Sequence, residues 1–337
     1  MTAATPSGSS GSGIDFSDPE LEAAVRAGLD SVEAMLRDSV KSDYPFVTET
    51  SQHLVAAGGK RFRPLVVLLA AHFGDPAAAG VVPAAVVVEL THLATLYHDD
   101  VMDEAVLRRG AVSANSRWGN TVAILTGDFL FARASDILAD LGPEAVRLQA
   151  RTFERLVQGQ IRETVGPADT DDPVDHYLRV IADKTGSLIG TSGRFGAMLS
   201  GADETAVEVL TRFGERIGVA FQLSDDLLDV TAESAASGKT PGTDLREGVP
   251  TLPVLLLRRR ADAADGELLA ALDGDLAGDE ALRSVVEKLR RHPVMAEARE
   301  VVQSWADDAR ATLAPLPDLP PKAALESLCD FVVRRTG

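Results

Sequence analysis

Cysteine is almost missing from this chain. Cys329 stands alone, which excludes an intramolecular disulfide and a Cys-based zinc site and fits a reducing compartment. Its simplest role is a small apolar filler in the last helix. Aromatic residues are also scarce, at 5% of 337 residues, while Ala, Leu and Val dominate. That balance favours helices over strands. Positive charge is in deficit: 33 Lys and Arg against 51 Asp and Glu give a formal charge of −18. No nucleic-acid partner is expected for such a chain. No apolar run has the length of a bilayer span; the stretches around 65–71 and 81–90 are too short or are interrupted by Pro83 and Glu89. Membrane contact is therefore expected to be peripheral at most. The first 13 residues, MTAATPSGSSGSG, lack the charged and apolar regions of a signal peptide and read as a disordered tail. These absences point to the cytoplasm.

What the chain does have is helical periodicity. Leu21, Val25, Leu29, Val32 and Leu36 alternate with charged positions over 18–41, an amphipathic helix. A helix over 46–57 ends at Gly58-Gly59, and Pro64 opens an apolar helix to about residue 73. Residues 83–104 are hydrophobic on nearly all sides, hence central. Further helices are expected at 119–140, 143–165, 173–200, 203–231, 250–262 and beyond 265, with no period-two strand series. Breaks fall at 74–76, 107–117, 166–173, 237–249 and 314–321, and none resembles an interdomain linker. The expectation is one all-α domain over 14–337.

Two stretches stand out on these helices: Asp99-Asp100-Val101-Met102-Asp103 and Asp225-Asp226-Leu227-Leu228-Asp229. Burying like charges is costly unless cations pair them. Asp99 and Asp103 lie four residues apart and share a helix face, as do Asp225 and Asp229. Two such faces opposed across a bundle would make a cage of six carboxylates. Oxygen-only ligands with room for water and phosphate suit Mg²⁺. Basic residues gather elsewhere: Gly58-Gly59-Lys60-Arg61-Phe62-Arg63-Pro64, Arg108-Arg109-Gly110, Lys184-Thr185-Gly186 and Gly238-Lys239-Thr240. Glycines let backbone approach a ligand, and a helix N-terminus suits anions. Arginines chelate phosphate oxygens. Singly, each has a plainer explanation: a solvated helix start at Lys60–Arg63, a surface turn at Arg108-Arg109, a core histidine at His92. Their joint occurrence in so acidic a chain points to diphosphate held through metal.

With these motifs in hand, the chain resembles the trans-isoprenyl diphosphate synthases, the polyprenyl synthetase family, in its long-chain branch. The matching stretches are GGKRFRP (58–64), ELTHLATLYHDDVMDEAVLRRG (89–110), RWGNTVAILTGDFLFARA (117–134), KTGSLIGTSGRFGA (184–197), GVAFQLSDDLLDV (218–230) and GKTPGTDLREG (238–248). The resemblance implies a helical bundle around a deep central cavity, usually a homodimer. It also implies head-to-tail condensation of isopentenyl diphosphate with an allylic diphosphate through a carbocation. Mg²⁺, three ions in this family, would be held by Asp99, Asp103 and Asp225, with Asp100, Asp226 and Asp229 completing the shell. Lys60, Arg63, His92 and Arg109 match the isopentenyl diphosphate site. Arg108, Lys184 and Lys239 match contacts to the allylic diphosphate. Thr185 and Gln222 match positions beside the cation, where hydroxyl or carbonyl oxygens stabilise positive charge. The loop 237–249 is expected to close over the site and exclude water. One departure stands out: Val249 follows Arg246-Glu247-Gly248, where many family members carry lysine.

The tail of the product is expected to grow along the helix that ends at Asp99. Ala94 and Thr95 are small where bulky aromatics would stop growth early, and Thr91 is small as well. A product longer than fifteen carbons is expected, with Phe129 and Phe131 as candidates for the floor. The alternative explanation of Ala94 and Thr95 is close helix packing. Two rivals stand beside this reading: a class I terpene cyclase, which shares the aspartate motif but usually lacks the Gly-Gly-Lys-x-x-Arg site, and a non-catalytic subunit of a heteromeric synthase, which usually loses aspartates.

Overall fold

The computed structural model describes residues 14–231, 241–260 and 262–335. The tail at 1–13, Lys239 and the start of the 237–249 loop lie outside them. In chain order the helices are α1 (Pro19–Ser39), α2 (Pro45–Ala56), α3 (Phe62–Ala71), α4 (Val81–Met102), α5 (Ala114–Trp118), α6 (Asn120–Leu141), α7 (Pro143–Val165) and α8 (Pro173–Ile181). A π-helical turn, Ala182–Gly186, leads into α9 (Ser187–Leu199) and α10 (Glu204–Thr231). Then come α11 (Thr243–Arg246), α12 (Leu252–Arg260), α13 (Gly266–Leu272), α14 (Asp279–Arg291), α15 (Val294–Thr312) and α16 (Pro320–Arg334). The fold is all-α, as expected. It comprises two compact units. The first runs to Ala150 and includes Thr191–Thr211 and Pro315–Leu328; the second comprises Arg151–Gly190, Arg212–Ala314 and the chain from Cys329 onward.

In the first unit α4 packs against α1, α3 and α6. Val86, Val87, Val88, Leu90, Leu93 and Ala94 are fully buried, which explains why this helix is apolar all round. At about 1.5–3 kcal/mol per fully buried aliphatic side chain, that row holds α4 inside the protein. The expectation of no membrane-length apolar segment needs correcting here. Among the described residues, Val81–Met102 is long and apolar enough to cross a membrane, although 67% of its most apolar window is buried within the protein. Pro83 does not shorten it, because it sits in the first turn where its missing N–H costs nothing. Glu89 does not interrupt it, because Arg61 pairs with its carboxylate at 2.9 Å. Tyr97 ties α4 to α2: its hydroxyl donates to the Thr50 carbonyl at 2.5 Å and accepts from the Leu54 N–H at 3.3 Å.

In the second unit α12 packs against α8 and α15, and α14 against α13 and α15. Leu252 to Leu257 of α12 are all buried, so a run too short to show periodicity is a core helix.

Two stretches depart from the sequence-based expectation. The helix expected over 173–200 is interrupted by the π turn at Ala182–Gly186. Such wide turns insert a residue into an otherwise continuous helix, which leaves the apolar periodicity almost unchanged, and they recur at functional sites. The expected break at 107–117 contains a small hairpin, Leu107–Arg108 paired with Ala111–Val112, followed by α5. Two-residue strands leave no period to read. The hairpin turn itself is Arg109-Gly110, both with positive φ (52° and 77°).

Candidate active site

The basic half of the site lies in the first unit. Arg61 caps the start of α3 in the left-handed region (φ 48°), a conformation that costs a residue with a Cβ roughly 1–2 kcal/mol. The ion pairs of its guanidinium hold it there: Glu33 at 2.9 Å and Glu89 at 2.9 Å. Glu89 is 1% exposed, so it needs this cation. Arg109 reaches the same turn. It donates to the Gly58 carbonyl, and its Nη2 lies 4.0 Å from Glu89. A Cβ at Gly59 (φ 151°) would crowd the Arg109 guanidinium at 3.0 Å. Gly59 thus leaves room for an arginine from the hairpin, and the Gly58 carbonyl accepts from it, a closer role than ligand approach alone.

His92 stands among these cations. Burial, then Arg63, Arg109, Arg108 and Arg61, push its imidazole well below the ordinary histidine range, so it is neutral at pH 7. Lys60 is exposed and Arg63 half-buried. Lys60, Arg63, His92 and Arg109 therefore belong to one unit, organised by a Glu33–Arg61–Glu89 bridge. Sequence reasoning assigned no role to Arg61 or Glu89. The available signal was an isolated acid on an otherwise apolar helix, three residues before His92.

The first aspartate motif ends α4. Asp99 is partly exposed and Asp103 exposed, whereas Asp100 is fully buried. Arg108 answers the buried one: its Nε lies 2.5 Å from Asp100 Oδ1, and its Nη2 lies 3.8 Å from Asp103. Asp100 Oδ2 is buried with no hydrogen-bond partner among the described residues. Burial raises the Asp100 carboxyl, and Arg108 pulls it back. Five and four positions before Asp99, Ala94 is fully buried and Thr95 donates to the His92 carbonyl at 2.8 Å. The Ala94 carbonyl faces Gly127 of α6, where a Cβ would approach within 3.1 Å, so Ala94 takes part in a close helix crossing. Phe131 sits against His98, ring centroids 5.8 Å apart.

The second motif lies in the second unit, near the end of α10. Asp226 is 7% exposed. Tyr177 of α8 donates to its Oδ2, Gln222 donates to its Oδ1 at 2.8 Å, and Thr185 of the π turn donates to Gln222 Oε1 at 3.1 Å. Thr185 and Gln222 are thus linked, and Tyr177 joins them. Burial raises the Asp226 carboxyl to about 6; the Tyr177 and Gln222 hydrogen bonds lower it, and Asp225 and Asp229 push it up. Asp229 accepts from the backbone N–H groups of Thr243 and Asp244 at 3.2 and 3.1 Å. Asp225 is paired with Arg335. Lys184 is paired with Glu163. Arg246 is engaged by Asp279 at 2.5 Å. Tyr177, Glu163 and Arg335 carry no motif signal in the sequence.

Among the described residues no group of three or more His, Cys, Asp or Glu side chains is drawn together as a metal cluster. The donor set nevertheless fits a hard divalent cation in kind. Every candidate ligand is a carboxylate, the outer members of each motif are accessible, and an arginine already sits on each motif.

Two helices that each end in paired carboxylates, together in one chain with a cluster of cations built on a glycine turn, define a prenyl-diphosphate transferase rather than a structural bundle. Comparison with known proteins makes this specific. The polyprenyl synthetase family profile matches residues 44–289. A nonaprenyl diphosphate synthase of Mycobacterium tuberculosis is 50% identical over 96% of this chain and 97% of its own length. An octaprenyl diphosphate synthase of Escherichia coli is 32% identical over 94% and 97%. Among solved structures, a geranylgeranyl pyrophosphate synthase from Corynebacterium glutamicum, complexed with calcium and isoprenyl diphosphate, superposes with a TM-score of 0.86. It is 47% identical over 96% of this chain and 100% of that one. The chain belongs to the polyprenyl synthetase family and is a trans-prenyltransferase of the all-α isoprenoid synthase fold.

Proposed function

We propose that this chain, as one catalytic domain over 14–337, condenses isopentenyl diphosphate with an allylic diphosphate to give a polyprenyl diphosphate longer than fifteen carbons. The observation that carries this reading is the pairing of two opposite charge sets in one chain: six aspartates in two motifs, and the Lys60, Arg63, His92, Arg109 cluster organised by Arg61 and Glu89. Mg²⁺, as three ions held by Asp99, Asp103 and Asp225 with Asp100, Asp226 and Asp229 in support, would neutralise the departing diphosphate as a Lewis acid. The basic cluster holds isopentenyl diphosphate without metal, so that diphosphate is kept. His92, neutral at pH 7, serves it as a hydrogen-bond donor. Arg108, Lys184 and Lys239 contact the allylic diphosphate, and the loop 237–249 closes over it. Thr185 and Gln222 present oxygen to the carbon that becomes positive, and the π turn sets their spacing. The isopentenyl double bond attacks that carbon and a proton is lost to the released diphosphate.

The product range is supported by relatives named for chains of four, eight and nine isoprene units, and by the small residues Ala94 and Thr95. A cytoplasmic homodimer is part of the reading. Exposed Val157, Ile161 and Val165 recur every four residues on α7, an apolar stripe that a second copy would cover. A terpene cyclase is disfavoured by the basic cluster, and a non-catalytic subunit by the retention of all six aspartates.

The test is incubation of the purified chain with isopentenyl diphosphate, each allylic primer and Mg²⁺, followed by measurement of product length. A linear product longer than fifteen carbons is expected. A cyclic hydrocarbon, or no incorporation without a second protein, overturns the reading. Ala94→Phe is expected to shorten the product by at least one isoprene unit, since one helical turn is about 5 Å. An unchanged distribution places the floor elsewhere, and the buried Ala94 then serves the α4–α6 crossing alone.

A further inference from the structure

The second aspartate motif carries a cation from the far end of the chain. Arg335 follows directly on α16. One guanidinium nitrogen, Nη2, donates to Asp225 Oδ1. The guanidinium lies over two aromatic rings, 4.7 Å from the Phe221 centroid and 5.5 Å from that of Phe331. The side chain is only 13% exposed, and its Nη1 is buried with no hydrogen-bond partner among the described residues. An ordinary surface ion pair would not withdraw an arginine from water and leave one donor unanswered. Two aromatic faces and a carboxylate together make a seat for a positive charge.

We propose that Arg335 is the counter-cation of Asp225: it occupies this carboxylate until a divalent cation takes its place, and so it sets the affinity of the site for metal. The inference rests on the reading of Asp225 as a metal ligand. Asp225 keeps 40% of its side chain exposed, so an incoming ion has access. Phe221 and Phe331 hold the guanidinium in its seat beside the carboxylate, so they strengthen the contact that an incoming ion must displace. Arginine and metal compete for the same oxygen, so metal affinity is lowered by whatever the Arg335–Asp225 contact contributes.

The experiment titrates Mn²⁺ alone into the full chain, with no diphosphate present, and reads free Mn²⁺ by electron paramagnetic resonance. Wild type, Arg335→Gln, Arg335→Lys, Phe331→Leu and Asp225→Asn are compared, each with its melting temperature before and after Mn²⁺. Arg335→Gln is expected to bind Mn²⁺ about 10-fold more tightly than wild type, a coupling of ordinary size between competing ligands. It should melt lower without metal and gain more on Mn²⁺ addition. Arg335→Lys should fall near wild type, and Phe331→Leu between wild type and Arg335→Gln, which keeps the question answerable if the glutamine variant folds poorly. Equal or weaker Mn²⁺ binding in both Arg335→Gln and Phe331→Leu overturns the counter-cation role while Asp225→Asn still loses the ion. If Asp225→Asn binds Mn²⁺ as well as wild type, the metal reading of Asp225 falls and this inference with it.

Discussion

Asp100 and Asp226 hold the same place in two copies of one five-residue motif, and both are buried, yet their surroundings differ in kind. Asp100 faces a full positive charge, Arg108 at 2.5 Å. Asp226 faces a phenol and an amide, Tyr177 and Gln222. The buried carboxylate of the first motif is therefore answered with charge, and that of the second with neutral donors that leave it titrating at about 6. The same aspartate spacing does not mean the same electrostatics: the partners that distinguish the two lie outside the motif, on a hairpin in one case and on α8 and α10 in the other.

The difference can be broken from its largest consequence downward. Loss of the outer carboxylates should erase it. Asp99→Ala and Asp225→Ala are each expected to lower turnover by roughly 10³-fold, since either removes several kcal/mol of charge stabilisation. Steady-state rates with saturating Mg²⁺ check this, and near-normal turnover in either variant would sink the assignment. Next comes the buried pair. Arg108→Leu strands Asp100 as an unpaired buried charge and should cost about 3 kcal/mol of stability in urea unfolding. Tyr177→Phe removes one neutral donor from Asp226 and should cost about 1–2 kcal/mol. Equal losses would mean that the two environments are energetically alike.

The remaining effect is one of pH. Native Asp226 titrates at about 6, whereas the unfolded chain keeps the ordinary value near 3.9. Between these values the native state retains a proton that the unfolded state has released. Asp226 therefore favours folding most below about pH 4, and its contribution is lost as pH rises through 6. Without added metal, wild type should lose stability relative to Asp226→Asn across that window, at up to about 1.4 kcal/mol per pH unit. A parallel pH profile for the two proteins would show that Asp226 is no more strained than an exposed aspartate.

Much of this was legible in the chain itself. Helix positions followed from apolar spacing, and α7 runs over the expected 143–165. The aspartate and basic motifs were visible because several chemical signals coincide within a few residues. What could not be read has a common cause: the partners come from far away in sequence. Glu89 looked like an interruption because its cation, Arg61, lies 28 residues earlier. Tyr177 meets Asp226 across 49 residues, and Arg335 meets Asp225 across 110. The π turn was hidden because its residues remain helical in pattern, and the hairpin because two residues do not establish a period. For Ala94, smallness serves both product length and close packing, and composition alone does not separate them.

Both aspartate motifs close long helices: Asp99–Asp103 end α4, and Asp225–Asp229 lie in the last turns of α10. The peptide groups of each helix sum to a macrodipole whose negative end, about half an elementary charge, falls at that terminus. The carboxylates are therefore set where the backbone already repels them and attracts cations. Part of the pull on a metal ion accordingly belongs to the main chain and survives any substitution of side chains. Arg108 and Arg335 answer that backbone field as well as the aspartates beside them.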